Sequence, residues 1–86
     1  MYVNNTDKAN FSIAIYPNPT KESLNIAIGT TEQFTYQLFN AFGQTVLEGN
    51  ASGTQLLKLN ELAPGIYYIS IAGQGIEFIE KLIKAE

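Results

Sequence analysis

The 86-residue chain carries a net charge of −3, with five lysines and no arginine, histidine or cysteine. Disulfide and thiolate chemistry are therefore excluded, and the commonest general base and metal ligand is missing. Its hydrophobic fraction of 45% and charged fraction of 15% are typical of one small folded domain, while the acidic balance argues against nucleic-acid binding.

The first ten residues, 1–10, are polar and show no periodicity. We predict that they form a linker and that the folded domain occupies residues 11–86. The start of the chain lacks the basic and apolar regions of a signal peptide, and no apolar run approaches the ~20 residues of a membrane-spanning helix. The chain is therefore expected to be cytosolic or cut from a longer protein.

Short apolar runs separated by turn residues follow the linker, at the spacing of an all-β sandwich. Seven strands are predicted, in the segments FSIAIY, SLNIAIG, FTYQLFN, TVLEGN, QLLKLN, GIYYISIAG and IEFIEKLIK. The last segment also fits a helix by its i,i+4 apolar pairs; a strand is favoured because the preceding strands need a partner. The predicted fold class is all-β, an immunoglobulin-like antiparallel β-sandwich of about seven strands.

In three turn segments, proline and glycine predict the backbone conformation. In "YPNP", residues 16–19, neither proline can donate to a ladder and each preceding residue is driven to extended backbone, which predicts a stiff corner where the chain changes sheets. Gly43 in "NAFGQ" is predicted at positive φ after a type I turn. Pro64 and Gly65 in "LAPGIY" are predicted as the two central residues of a type II turn, which requires positive φ at Gly65.

Alternation within the strands also predicts which side chains face the core. The predicted inward set is Ile13, Ile15, Leu24, Ile26, Ile28, Tyr36, Leu38, Val46, Leu57, Leu59, Tyr67, Ile69, Ile71 and Phe78.

No catalytic or metal-binding set emerges from the sequence. The single aspartate excludes an EF-hand loop, and "GQG" is too short for a phosphate loop. The carboxylate pairs Glu77 with Glu80 and Glu22 with Glu32 are interpreted as solvated charges. We therefore predict no enzymatic activity and no cofactor. One binding option is open: Tyr68 points opposite to its neighbour in the strand, so its ring either stacks on a sugar or packs in the core.

Four segments in order, "YPNPTKESLNI", "YQLFNAFGQTVLEG", "LNELAPGIYYISI" and "KLIK", resemble the type A C-terminal sorting domain of the type IX secretion system of Bacteroidota. The resemblance covers about residues 15–84. It departs from the family pattern at Glu77 and Glu80, where more lysine or threonine is expected. The positions that match the family's sorting motifs are Tyr16, Pro17, Asn18, Pro19, Asn40, Gly43, Gln44, Gly65, Tyr67, Lys81 and Lys84.

The resemblance implies that the domain is a targeting signal rather than an enzyme. Such a domain ends a cargo protein that crosses the inner membrane by the general secretory route. In the periplasm it folds and is recognised by the outer-membrane translocon with its shuttle and sortase components. A sortase then usually cleaves it from the cargo, which reaches the cell surface or is secreted. The polar segment Tyr2–Asn10 would then hold the cleavage site, and the upstream cargo is absent from this chain.

Two further expectations concern the last strand and the competing function. Lys81 and Lys84 are expected to lie exposed on an edge strand, where they present charge and free backbone groups to the translocon; alternatively, they only guard the edge against aggregation. The competing function is an immunoglobulin-like accessory module that binds glycan or protein at the cell surface and is not removed. A purely structural cap is a third possibility.

Overall fold

A computed structural model describes residues 12–30 and 32–86. The linker predicted for residues 1–10 and the residue Phe11 of the first predicted strand lie outside the described residues. The described chain forms seven strands and no helix: β1 (Ile13–Tyr16), β2 (Ser23–Ile28), β3 (Phe34–Asn40), β4 (Thr45–Ala51), β5 (Thr54–Lys58), β6 (Gly65–Gly73) and β7 (Ile76–Lys84).

The strands form two antiparallel sheets, and the prediction of an all-β sandwich is confirmed. One sheet has the order β1-β2-β5 and the other the order β4-β3-β6-β7. In immunoglobulin labels these sheets are A-B-E and C′-C-F-G. The final segment, for which a helix was the alternative, pairs with β6 along its whole length, from Gly65 opposite Lys84 to Gly73 opposite Ile76.

The core lies between the two sheets and is built from alternate residues of the strands. Every residue of the predicted inward set is either buried or packed against the buried cluster. The set was incomplete, because Phe34, Ala51 and Leu82 are also buried. Leu82 was missed because Glu80 interrupts the apolar alternation of β7. Ala51 was missed because the fourth predicted strand stops one residue before it. No helix with the length and apolarity needed to cross a membrane occurs in the described ranges.

Candidate functional site: one end of the four-stranded sheet

The "YPNP" corner leaves the first sheet after β1 and reaches the outer edge of β7 in the second. Thr20, directly after the corner, forms a parallel bridge with Lys84. Its N–H donates to the carbonyl of Ile83 (2.9 Å), and its carbonyl accepts from the N–H of Ala85 (2.7 Å). The chain then returns to the first sheet as β2. The chain therefore contacts the second sheet at a single bridge, and the strands before and after the corner are neighbours in the first sheet, so the predicted change of sheet is limited to Thr20.

The side chain of Asn18 pairs with the same edge in the manner of a peptide group. Its Nδ2 donates to the carbonyl of Lys81 (2.9 Å), and its Oδ1 accepts from the N–H of Ile83 (3.1 Å). A carboxamide carries both a donor and an acceptor, so it can stand in for a strand residue. Pro19 next to it has no N–H to offer. Both X–Pro peptide bonds of the corner are cis.

These contacts close the outer edge of β7 over its last residues and leave the first residues open. Outward-directed backbone groups recur at every second residue of an edge strand, so they belong to Glu77, Ile79, Lys81 and Ile83. Asn18 pairs with the carbonyl of Lys81 and the N–H of Ile83, and Thr20 pairs with the carbonyl of Ile83. Within the described residues, no partner pairs with the outward groups of Glu77 and Ile79. The expectation of free backbone groups is therefore correct for the start of β7 and wrong for its end.

The two lysines of β7 lie on opposite faces of the sheet. They are three residues apart, and side chains alternate faces at every residue. Lys81 is exposed and lies opposite Tyr68 of β6. Lys84 is only 7% exposed, and its Nζ lies 3.4 Å from the carbonyl of Ala85. The expectation that both lysines are exposed is wrong for Lys84, which shares the inward face with Leu82.

The motif "NAFGQ" builds the hairpin between β3 and β4. The Oδ1 of Asn40 accepts from the N–H groups of Phe42 (2.9 Å) and Gln44 (3.0 Å), and its Nδ2 donates to the Oε1 of Gln44 (2.9 Å). The N–H of Gly43 donates to the carbonyl of Asn40 (3.0 Å). Gly43 has a φ of +85°, as predicted. The side chains of this motif are occupied within the turn, and the tip displays Phe42, which the sequence reasoning did not single out.

The motif "LAPGIY" forms a tyrosine corner at the entry to β6. Tyr67 is buried, and its hydroxyl donates to the carbonyl of Ala63 (2.6 Å). A tyrosine at the start of strand F that bonds a few residues upstream is characteristic of immunoglobulin-like sandwiches. Gly65 has a φ of +153°, so the prediction of a positive φ is confirmed. The type II turn is wrong, because that turn needs a φ of about +80° at this position.

Strand register brings these separate motifs to one end of the four-stranded sheet. Asn40 at the end of β3 lies opposite Tyr67 near the start of β6, and Gly65 lies opposite Lys84 at the end of β7. Lys84 is in turn bridged by Thr20. We call this region the motif end. It gathers the corner, the hairpin, the tyrosine corner and the terminal strand from four distant parts of the chain.

The predicted sorting residues are thus neighbours in space. Glu77 and Glu80 of β7 are three residues apart and face opposite sides. Among the described residues, no group of three or more His, Cys, Asp or Glu side chains could hold a metal ion. A shallow groove between β3 and β4 is lined by strand residues, among them Gln37, Glu48 and Asn50.

Comparison with known families decides the identity of the domain. The sequence profile of the secretion system C-terminal sorting domain matches residues 14–85, which is most of the chain. The chain belongs to this family. No curated protein is significantly similar to it.

The family assignment fixes the general role of the domain. A sorting domain of the type IX system is a C-terminal secretion signal, and membership implies interaction with that system and with a cargo. It also implies export to the cell surface or secretion. This family of secretion signals is not known for enzymatic activity.

Proposed function

We propose that this domain carries a cargo protein across the outer membrane through the type IX translocon and that a sortase then removes it. The proposal places the domain in the periplasm during transit and at the cell surface or outside the cell afterwards. Its partners are the translocon, the outer-membrane shuttle and sortase components, and the upstream cargo. The observation that carries the proposal is the motif end, where four matched motifs meet in one bonded structure.

The bonding of the corner to β7 supports such a role. The cargo side of the domain enters through β1, and the corner directly after β1 is hydrogen-bonded to the last strand by Asn18 and Thr20. The junction to the cargo and the C-terminal strand are thus held together in one folded unit. A receptor that binds this end would engage only a completely folded domain, because the contact joins residues more than sixty positions apart.

The matched residues divide into two roles under this proposal. Asn40, Gly43, Gln44, Gly65 and Tyr67 build turns and act through the fold. The side chains of Tyr16, Pro17 and Pro19 and of Lys81 are exposed at the motif end or next to it and are available to a receptor. Lys84 belongs with the first group because it is buried.

A competing function rests on one exposed ring. Tyr68 is exposed on the outer face of β6, opposite Lys81. Exposed aromatic rings on a sheet face are suited to stacking on sugars, so an accessory module that binds glycan is the second candidate. Such a module would remain attached to its protein after export, whereas a sorting signal would be removed.

The location and mass of a reporter distinguish the two candidates. Residues 1–86 are fused to the C terminus of a fluorescent protein that carries a general secretory signal, in a cell with an active type IX system. We expect the reporter outside the cell or on its surface, at the mass of the reporter without the domain. A reporter that stays in the periplasm contradicts the sorting function. An exported reporter that keeps the domain contradicts removal by a sortase.

A further inference from the structure

The outer face of β6 and β7 has an unusual concentration of exposed apolar side chains. Ile66 lies opposite Ile83, and Ser70 lies opposite Ile79. Ile66, Ile79, Ile83 and Tyr68 are each at least 40% exposed. They make up four of the seven large apolar side chains that are exposed in the described part of the chain. A contiguous patch of this kind marks an interaction surface more often than scattered single residues do.

Toward β3 the patch adjoins one more apolar ring, the half-buried Phe39 opposite Tyr68, whereas the middle of the outer face of β3 and β4 is polar. Gln37 of β3 and Glu48 of β4 lie opposite each other and are hydrogen-bonded through their side chains (3.4 Å). Thr35 and Asn50 form the next pair on the same face. The exposed large apolar side chains of this face are therefore concentrated on β6 and β7, beside the open part of the β7 edge at Glu77 and Ile79.

One ammonium group lies in the middle of the patch. Lys81 has Ile79 and Ile83 as its neighbours along β7 and Tyr68 across the strand pair. No side chain in the described ranges forms an ion pair with Lys81. The nearest acid on its face in β7, Glu77, is four residues away, about 13 Å along a strand, and accepts a hydrogen bond from the hydroxyl of Ser70 (3.4 Å).

We propose that this face, formed by Ile66, Tyr68, Ile79, Lys81 and Ile83, docks a protein of the secretion machinery that presents a carboxylate within an apolar surface. The inference rests on the proposed function and names the surface through which it acts. Charge complementarity selects the partner, because a cation surrounded by apolar side chains is best covered by an acid with apolar neighbours. A second copy of the domain fits poorly, since it would place two ammonium groups in one interface.

The apolar part of the surface is tested by exchanging one exposed isoleucine. Ile79→Ser removes a central side chain that is 62% exposed, and Leu56→Ser on β5 is a matched control at 52%. Both variants should keep the wild-type melting temperature. In the reporter fusion, Leu56→Ser should be exported normally. Ile79→Ser should lower export about tenfold or more, as loss of a central interface contact does. A folded Ile79→Ser domain that is exported like wild type overturns the inference.

The charge is tested by Lys81→Met and Lys81→Glu, with Lys58→Glu on β5 as the control. Lys81→Met keeps an apolar stem and should reduce export moderately, while Lys81→Glu should reduce it further because it opposes the partner's carboxylate. Lys58→Glu should be exported normally. Equal export of Lys81→Glu and wild type overturns the carboxylate partner. Failure of the wild-type fusion itself overturns the proposed function instead, so the two failures are distinguishable.

A lipid surface is the other class of partner, and vesicle flotation tests it. The purified domain is mixed with vesicles of phosphatidylethanolamine and phosphatidylglycerol and separated by flotation. We expect the wild-type domain to remain unbound. Flotation of wild type but not of Ile79→Ser would overturn the protein partner in favour of a membrane.

Discussion

Gly65 illustrates a residue whose importance lies in its backbone. Its φ of +153° is disfavoured for residues with a side chain, yet a Cβ built at this position would meet nothing within 4 Å. We expect Gly65→Ala and Gly65→Val each to lower the free energy of unfolding by about 1–3 kcal/mol, the range for such strained conformations. Urea unfolding measures this change. An unchanged stability of Gly65→Val, or a large loss with Val and none with Ala, would contradict a backbone cause.

The hydroxyl of Tyr67 is expected to matter far more than that of its neighbour in β6. Tyr67→Phe removes the bond to the carbonyl of Ala63 and should cost about 1 kcal/mol, the typical net value of such a hydrogen bond. Tyr68→Phe is the control, because no bond from the Tyr68 hydroxyl is seen among the described residues. We expect a lower melting temperature for Tyr67→Phe than for Tyr68→Phe. Equal melting temperatures would show that the tyrosine corner does not stabilise the domain.

The two lysines of β7 should respond differently to truncation. Lys84→Ala removes buried methylene groups worth about 0.8 kcal/mol each, partly offset by the buried ammonium, so we expect a loss of roughly 1–2 kcal/mol. Lys81→Ala removes an exposed charge and should change stability by less than about 0.5 kcal/mol. Denaturant unfolding compares the two. A larger loss for Lys81 would contradict their placement on opposite faces.

At the scale of elements, the contact between the corner and β7 is the feature most specific to this domain. Asn18→Ala removes the two side-chain bonds to Lys81 and Ile83. We expect a loss of about 1 kcal/mol, or a drop of about 4–8 °C in melting temperature for a domain of this size. Asn50→Ala, an exposed asparagine of β4, is the control and should change little. A similar melting temperature for both variants would mean that solvent replaces the Asn18 bonds without cost.

Strands and turns were the features that the sequence predicted best. A period of two in the apolar residues, cut by glycine and proline, is a local signal, so β3, β6 and β7 have the predicted bounds. The positive φ at Gly43 and Gly65 is likewise dictated locally. The type of the turn at Gly65 was not, because the buried Tyr67 hydroxyl takes the Ala63 carbonyl.

The contacts of the candidate site could be predicted from the sequence only in part. That β1 ends at the corner follows from its prolines, but the pairing of Asn18 with β7 joins residues more than sixty positions apart, and no local pattern encodes it. The exposure of Lys84 was misjudged for a different reason. The lysine was assigned by its place near the end of the chain, whereas the alternation of β7 puts it on the same face as Leu82.

In the whole molecule, the corner after the first strand and the last strand, β7, are hydrogen-bonded to each other at the motif end. A domain of 86 residues has a stability of roughly 4–13 kcal/mol by the usual value per residue. The losses expected for Gly65, Tyr67 and Asn18 are therefore small enough for each variant to remain folded. If a variant remains folded but its reporter is exported less than wild type, the defect would be attributable to the surface of the domain rather than to its stability.

The sorting function proposed for the domain depends on the type IX translocon. Its most direct test is the location of the reporter fused to residues 1–86 in two strains that differ only in the presence of the type IX translocon. We predict that the reporter leaves the cell in the intact strain and accumulates in the periplasm of the strain without the translocon. The same location in both strains, whether outside the cell or in the periplasm, would contradict the account.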